Sequence, residues 1–189
     1  NLLLTEAKQE SLWPTNFKFI YMIVIAIIIL ILFPFLKPQD FHIHLMIMVF
    51  LYAVMSQSWN VIAGFSGQIS LGHVVFFGIG GYTSSFLFIE YGLTPWIGIL
   101  IGMFFSIIVA ILIGIPMLRL SGHYFAIATL LIGFSFQIIF QRWDLIGAAS
   151  GLWIPLIWEN PWFNLQFHDS KIPYYYIYLT FFILTYLFV

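Results

Sequence analysis

The chain has 189 residues, of which 62% are hydrophobic and 7% are charged, an apolar surplus that one soluble core of this size could not bury. The composition therefore predicts a protein that uses lipid as its solvent. A formal net charge of -1 without a basic cluster argues against a nucleic-acid partner, and the absence of cysteine excludes disulfides and thiolate metal sites.

Six apolar stretches follow a polar N-terminal segment, residues 1–18, and the first of them is too long for the core of a signal peptide. A bilayer core of about 30 Å needs roughly 20 apolar residues in a helix. The stretches that approach this length are 19–36, 41–63, 74–91, 95–118, 124–140 and 174 onward. None has the alternating pattern of a transmembrane strand. We predict an all-α polytopic membrane protein with about six spans.

The predicted transmembrane domain covers residues 19–189. The sequence starts at Asn1, and its last hydrophobic stretch runs to Val189. We therefore expect this domain to be incomplete at its C-terminus. The six basic residues divide equally between the two sides of the membrane, so the positive-inside rule does not decide the orientation.

Amides, hydroxyls and glycines interrupt the apolar sequence between Ser56 and His73. Non-helical backbone at membrane depth survives only where protein or a water-filled cavity satisfies it. Two interpretations remain open: a broken helix that lines a path through the membrane, and a loop at the membrane face. We interpret Gly64, Gly67 and Gly72 as broken-helix glycines, because glycine permits unwinding and close backbone approach.

Small residues recur at every fourth position of the fourth predicted span, namely Gly98, Gly102, Ser106, Ala110 and Gly114. Residues at this spacing share one slowly drifting helix face. In lipid, helices associate where small side chains let their backbones approach. The stripe therefore predicts a helix-packing seam, and a role in a substrate path is the alternative.

The connections after the fourth span differ in character. Pro116 is expected to bend or end the helix, and Ser121 could cap the next helix, which we place from Tyr124 onward. The long connection 141–173 contains four tryptophans, a residue type that favours the headgroup layer. It is interpreted either as an interfacial or external cap or as an ordinary loop.

Enzyme signatures are absent from the sequence. There is no G-x-x-x-x-G-K-[ST] loop to bind ATP phosphates and no H-E-x-x-H zinc motif. His42 and His44 are two residues apart and so lie on different helix faces. We predict no catalytic residue and no metal site. The acidic residues within the spans are confined to Glu90 at an edge, which argues against a proton-coupled transporter.

Two longer blocks carry a family resemblance. The first is GQISLGH at 67–73, continuing through FFGIGGYT at 76–83, and the second is LRLSGHYFAIATL at 118–130. Trp143 and Asp144, followed by 147–155, also fall in the expected order. Together these segments resemble the permeases of branched-chain amino acid ABC transporters, of the LivM type. Two long blocks in register are more specific than one short motif.

The resemblance implies an ABC importer permease of the bacterial inner membrane that moves branched-chain, hydrophobic amino acids by alternating access. It implies four kinds of partner: a second, LivH-like permease subunit, two cytoplasmic ATP-binding subunits, an external substrate-binding protein, and the lipid bilayer. ATP would bind to the partner subunits, so no cofactor is expected in this chain. The family's C-terminal half, with the loop that contacts the ATPase, is expected to lie outside this sequence.

The closest alternative is a permease of the same family for urea or short-chain amides, and a passive channel or structural membrane subunit is a more distant one. The substrate-pathway candidates are Asn60, Gln68, Ser70 and His73, whose polar groups could contact a zwitterionic amino acid while its side chain passes aliphatic walls. Each also has a structural explanation. Gln68 and Ser70 could cap helix ends, Asn60 could bond a neighbouring helix, and His73 could lie at the headgroup level.

Overall fold

The structure is a computed structural model that describes residues 17–36 and 38–189. In that part of the chain the regular elements are helices, and no β-strand occurs. The all-α prediction is therefore confirmed. Residues 1–16 of the predicted polar segment lie outside the described residues. The chain forms two compact units, of which the first ends at Leu45 and the second is Met46–Val189.

The first unit contains one apolar helix and the start of another. Helix α1, Phe17–Leu32, is followed by a 3-10 turn, Phe33–Leu36, in which Pro34 is buried. Proline has no N–H to donate, so regular α-helical hydrogen bonding ends here. Helix α2, Asp40–Ser66, begins with an acidic residue in its first turn, where the helix dipole favours negative charge.

The second unit contains the remaining helices. They are the rest of α2, then α3 His73–Tyr91, α4 Pro95–Met117, α5 His123–Arg142, the short α6 Pro161–Asn164, and α7 Ile172–Phe188. Apart from α6, which lies in the predicted long connection, they begin and end within about three residues of the predicted stretches. Among the described residues, four helices, α2 to α5, are long and apolar enough to cross a membrane. The first and last predicted spans correspond to shorter apolar helices, Tyr21–Leu36 and Ile172–Phe188.

Helices α3 and α4 are in close contact along part of the small-residue stripe. A Cβ added to Gly98 would lie 2.8 Å from the Cα of Ser84, and one added to Gly102 would lie 3.0 Å from the Cα of Gly80. One turn further on, the Ser106 hydroxyl donates to a backbone carbonyl of α3 at 3.3 Å. Glycine at these positions therefore lets the two backbones touch.

Aromatic side chains fill the other helix contacts. Tyr175 of α7 is fully buried, and its ring meets Phe50 of α2 edge-on, with 5.3 Å between ring centroids. Phe182 stacks on Phe50, with 5.6 Å between ring centroids. Between α3 and α5, the rings of Tyr82 and Phe140 stack at 4.8 Å. Such ring pairs stabilise a helix contact by more than the burial of their apolar area alone would.

The turn between α4 and α5 differs from the prediction in one respect. Gly122, not Ser121, immediately precedes the first residue of α5, and no side chain caps this helix. Gly122 has φ +57, in the region that favours glycine, so the chain enters the helix through a backbone turn that a serine would adopt only with strain. Pro116 lies one residue before the end of α4, as expected.

The long connection folds into a compact structure, here called the cap loop, residues 143–171. It is fastened to the amino end of α4, where the Thr94 hydroxyl donates to the Phe163 carbonyl and the Trp96 indole N–H donates to the Trp162 carbonyl at 2.9 Å. Within the loop, the Gln166 side chain accepts from one backbone N–H at 2.8 Å and donates to a backbone carbonyl at 2.9 Å. The connection is therefore a folded segment that is bonded to the start of α4.

Candidate functional site

The polar run near the end of α2 remains helical. The Ser58 hydroxyl donates to the Val54 carbonyl one turn earlier, at 2.9 Å, which satisfies the hydroxyl without a neighbouring helix. Asn60 is exposed and also helical. Gly64 lies inside α2 as well, and a Cβ there would be 3.3 Å from the Asn60 side-chain oxygen. The chain leaves the helix only after Ser66.

Residues 67–72, here called the break, are non-helical and join α2 to α3. Gly67 has φ +63, so the chain turns sharply at a position where an L side chain would be strained. Gly72 is buried at the other end, and a Cβ on it would lie 2.8 Å from the backbone oxygen of Thr129. Gly67 thus supplies the turn, and Gly72 supplies the close approach to α5.

Hydrogen bonds from two helices hold the break. On one side, the Trp59 indole N–H of α2 donates to the Ser70 carbonyl at 2.7 Å. On the other side, the Leu71 N–H donates to the Thr129 hydroxyl of α5 at 3.1 Å, and that hydroxyl donates to the Ala126 carbonyl at 2.9 Å. Non-helical backbone inside a membrane protein needs such partners, because lipid offers none.

The break lies well inside the helical layer. Thr129, which contacts Gly72, comes six residues after the start of α5 at His123, about 9 Å along the axis at 1.5 Å per residue. Helix α4 likewise continues to Met117, well past Ser106, which bonds to the first turn of α3. Both helices therefore extend beyond the break. The break is therefore packed beside α4 and α5 and not beyond their ends.

Beneath the break is a cavity of about 480 Å³. Its walls come from the carboxyl ends of α2 and α4, the break itself, the first turn of α3 and the first half of α5. The lining is almost entirely apolar, with side chains such as Val61, Ile113 and Phe125. Its volume lies in the range of about 300–1,000 Å³ that is typical of small-molecule sites. The cavity can therefore hold a small, largely apolar molecule.

Two buried polar atoms in this region have no hydrogen-bond partner. Across the described residues, Gln68 Oε1 and His73 Nδ1 are the buried side-chain atoms left unpaired. An unpaired buried acceptor costs free energy that a hydrogen bond would otherwise offset. Gln68 lines the cavity, whereas His73 is the first residue of α3 and is not part of the lining.

The structure brings together some of the predicted residues and not others. Gln68 and Ser70 line the cavity, and Ser70 is only 6% exposed. Asn60 lies outside the lining. The small-residue stripe divides: its first three members face α3, whereas Ala110 and Gly114 face the cavity.

Thr129 was missed by the sequence analysis, although it lies within the second resemblance block. The signal was a hydroxyl within an apolar stretch of α5. The N–H that donates to it belongs to Leu71, 58 positions away, so this contact could not be inferred from local sequence.

Comparisons with known proteins agree with the resemblance. The family described as branched-chain amino acid transport system / permease component matches residues 41–189. The chain is 34% identical over 121 residues to the high-affinity branched-chain amino acid transport system permease protein LivM of Salmonella typhimurium (strain LT2), covering 64% of this chain and 28% of that protein. It is 34% identical over 103 residues to the protein of the same name from Escherichia coli K12, covering 54% and 24%.

The matched stretches thus cover about a quarter of each of these relatives. No solved structure matches the chain. The family match extends over most of the sequence, from the start of α2 to the last residue. Together with the four helices of membrane-spanning length in the described part, it assigns the chain to the branched-chain amino acid ABC transport permease family, as a multi-pass protein of the inner membrane.

Proposed function

We propose that this chain is a membrane-spanning permease subunit of an importer that carries branched-chain amino acids across the inner membrane by alternating access. ATP hydrolysis on separate subunits would drive the cycle. The observation that carries the proposal is the non-helical break beside an apolar cavity, in a chain of the branched-chain permease family. A discontinuous helix at membrane depth is a recurrent element of transporter binding sites.

The character of the cavity favours an aliphatic amino acid over the alternative of urea or a short amide. Urea would need several hydrogen-bond partners, whereas the lining offers apolar walls with few polar groups, chiefly Gln68 and Ser70. A branched aliphatic side chain would instead gain free energy from burial against those walls. Gln68 and Ser70 are therefore the substrate-pathway residues that the geometry supports best.

Asn60 and His73 remain candidates on the strength of the sequence alone. They would contact the substrate only if it passes along α2 or over the first turn of α3, outside the cavity. Neither is among the residues that line the cavity, although the His73 ring meets the lining residue Phe76 edge-on. In the proposed mechanism their part is secondary to that of Gln68 and Ser70.

The proposed partners are a second, LivH-like permease subunit, two cytoplasmic ATP-binding subunits and an external binding protein. The sequence contains no phosphate-binding loop of the G-x-x-x-x-G-K-[ST] type, so ATP hydrolysis is assigned to the partners. High affinity is assigned to the binding protein, and weak contacts within the permease would suffice for release on the inner side.

Substrate-stimulated ATP hydrolysis tests the proposal. The full-length protein is co-purified with its candidate partner subunits and reconstituted in proteoliposomes with the cognate binding protein. ATP hydrolysis is then measured with leucine, isoleucine, valine, urea and a short-chain amide in turn. Stimulation by the branched-chain amino acids is expected.

The other outcomes each have a definite meaning. Stimulation by urea or amides alone would retain the permease function and change the substrate. A protein that associates with no ATPase subunit would overturn the importer proposal, and leave a channel or structural role. Solute flux measured without ATP in the same vesicles separates those last two roles, because a channel conducts without an energy source.

A further inference from the structure

We propose that two cavities beside α3, between α5 and the cap loop, form a water-filled vestibule that enters the helical layer from the membrane face at which α3 ends. The vestibule would lead a water-soluble solute inward along α3 toward the break. This inference goes beyond the proposed function, because it holds for a channel as well as for an importer. It is carried by the depth at which α5 ends, by the path of the cap loop and by two open glycine positions.

Helix α5 ends well short of the end of α3. The two helices run side by side in the same direction, because their contacts advance together. Gly72 lies against Thr129, and further along both helices Tyr82 stacks on Phe140 with 4.8 Å between ring centroids. Helix α3 continues for nine residues beyond Tyr82, whereas α5 ends two residues beyond Phe140, at Arg142. At about 1.5 Å per residue, α5 therefore ends about 10 Å short of the end of α3.

Two charged residues lie at this end of α5. Arg142 is its last residue, and Asp144 begins the first 3-10 turn of the cap loop. Both side chains are exposed. Ionisable side chains inside a membrane protein face the bundle interior or a water-filled cavity, because their transfer into hydrocarbon is costly. Their exposure inside the helical layer therefore favours water beside the end of α5.

The cap loop then packs along α3 and does not leave the helical layer directly. Gly151 and Leu152 line a cavity of about 370 Å³ together with Gly78, Gly81 and Ser85 of α3. Ser85 lies six residues before the end of α3, which is about 9 Å along the axis, and the other two lie deeper. This part of the loop is therefore at membrane depth.

The backbone that follows has no partner in the protein. Residues 151–158 are non-helical. Within the part of the chain that the structure describes, the N–H and carbonyl groups of Leu152, Trp153 and Ile154 make no hydrogen bond. Non-helical backbone at membrane depth is tolerated where it is buried in protein or lines a water-filled cavity. Since no protein group bonds to these residues, water is the partner that the geometry supports.

Two glycines of α3 leave the cavity open. A Cβ built on Gly78 or on Gly81 meets no atom within 4 Å, whereas their neighbour Gly80 is in close contact with Gly102 of α4. Helix α3 thus has one glycine at the α4 contact and two at the cavity. Any larger side chain at Gly78 or Gly81 would occupy the space in which we place water.

A second cavity, of about 310 Å³, extends the first toward the break. The two share Gly78 and Tyr82, and the second continues between α3 and α5 as far as Leu71 of the break. Its lining includes the carboxamides of Gln137 and Gln141. Polar side chains at membrane depth are expensive in lipid, so these amides also favour a surface that meets water.

Single-cysteine labelling tests the vestibule, because this sequence contains no cysteine that would react in the background. The full-length protein, with any further cysteine replaced, is expressed with its partner subunits. Sealed membrane vesicles of either orientation are then treated with a charged, membrane-impermeant thiosulfonate. Gly81→Cys and Ser85→Cys are expected to react only from the face at which α3 ends. The open space at Gly81 and the small change in volume at Ser85 let both variants fold.

Met103 of α4 supplies the matched control. It is exposed, it lines neither cavity, and it follows Gly102, which packs against Gly80. Its depth is therefore close to that of Gly81. A charged reagent would have to enter lipid to reach a thiol there, so labelling of Met103→Cys is expected to be at least about tenfold slower than labelling of Gly81→Cys.

The opposite results would overturn the vestibule. If Gly81→Cys and Ser85→Cys react no faster than Met103→Cys, lipid or another helix covers the cavity. Equal labelling from both faces, or rapid labelling of Met103→Cys, would also overturn it, because water would then not be confined to a cleft on one side. Labelling in dodecyl sulfate gives the total thiol in each variant, and the membrane fraction shows whether each variant has inserted.

A filling variant tests whether the two cavities are continuous. Gly133→Cys places a thiol in the second cavity, and Gly78→Leu fills the position that both cavities share. Gly78→Leu is expected to slow the labelling of Gly133→Cys about tenfold and to leave that of Ser85→Cys within about twofold. Gly114→Leu is the control, since Gly114 is equally open but lines the cavity beneath the break. Unchanged labelling of Gly133→Cys in the Gly78→Leu background would overturn the continuation toward the break.

Labelling requires no transport, so the vestibule and the importer can fail separately. One-sided labelling of Gly81→Cys, combined with no stimulation of ATP hydrolysis by any solute, would support the vestibule and overturn the importer. Stimulation by leucine in the wild-type complex, combined with no labelling of Gly81→Cys or Ser85→Cys, would support the importer and overturn the vestibule.

Discussion

Two glycines of α4 provide a sharp test of the α3–α4 contact. Gly98 lies so close to Ser84 that an added Cβ would be 2.8 Å from its Cα and 2.7 Å from its Oγ. Gly114, on the same stripe of α4, has no atom within 4 Å of that position. Gly98→Ala and Gly114→Ala are therefore the same substitution at a close-packed position and at an open one.

The expected magnitude follows from two opposing effects. Overpacking a close contact costs about 1–3 kcal/mol. The upper end applies to Gly98, because backbone cannot rotate away and normal carbon contacts are about 3.5–4.0 Å. Alanine in place of glycine within a helix contributes about 1 kcal/mol of stability. The net expectation is destabilisation of about 2 kcal/mol for Gly98→Ala, and stabilisation of up to about 1 kcal/mol for Gly114→Ala.

Reversible unfolding in mixed detergent micelles, followed by far-ultraviolet circular dichroism and tryptophan fluorescence, measures the difference. The two variants should bracket the wild-type free energy of unfolding. If Gly98→Ala unfolds with the same free energy as Gly114→Ala, the close approach of α3 and α4 is not present in solution and the reasoning is refuted. Gly102→Ala, whose Cβ would lie 3.0 Å from Gly80 backbone, should fall between them.

Three further substitutions test the hydrogen bonds of the break and the cap loop. Thr129→Val removes the acceptor of the Leu71 N–H and should cost about 1–2 kcal/mol, seen as faster hydrogen exchange at that amide. Trp59→Phe removes the donor to the Ser70 carbonyl and should cost about 1 kcal/mol, seen as faster exchange across the break. Gln166→Leu removes two hydrogen bonds within the cap loop and should make its cleavage in limited proteolysis about tenfold faster.

Each of these has a matched control. Thr129→Ser keeps the hydroxyl and should retain wild-type exchange. Trp96→Phe removes an indole donor from the cap loop contact instead, so exchange across the break should not change. Gln141→Leu replaces the same residue type at the end of α5, outside the cap loop. Unchanged exchange in Thr129→Val or Trp59→Phe would contradict the hydrogen bonds assigned here, and so would equal proteolysis of the two glutamine variants.

Much of the helical layout was accessible from the sequence, because it depends on local properties. A run of about 20 apolar residues satisfies its own backbone as a helix in lipid whatever its neighbours are. The conformational freedom of glycine is also a local property, so a change in backbone direction at Gly67 could be anticipated. The end of α2 was harder to place. Gly64 remains within the helix, and in the polar run before it the Ser58 hydroxyl is satisfied by a backbone carbonyl one turn earlier.

The contacts that define the site were inaccessible to sequence reasoning. Whether the small-residue stripe packs or lines space depends on where α3 begins beside α4, and the answer differs between Gly98 and Gly114. Likewise, Ser121 had a suitable residue type for a helix cap, but Gly122 adopted the backbone turn that made a side-chain cap unnecessary. The residue type gives a propensity for capping or packing, and the packing of neighbouring helices decides whether the residue has that role.

Apolar run length and long motifs were enough to identify a helical membrane protein of the branched-chain permease family, because both can be recognised without knowledge of packing. The fold was needed to show that the break packs beside α4 and α5, and that Gln68 lines an apolar cavity while its Oε1 has no hydrogen-bond partner. Those features depend on how helices that are distant in sequence are placed against each other, as in the hydrogen bond between Thr129 and Leu71. No local pattern encodes such distances, because each is set by how several helices pack at once.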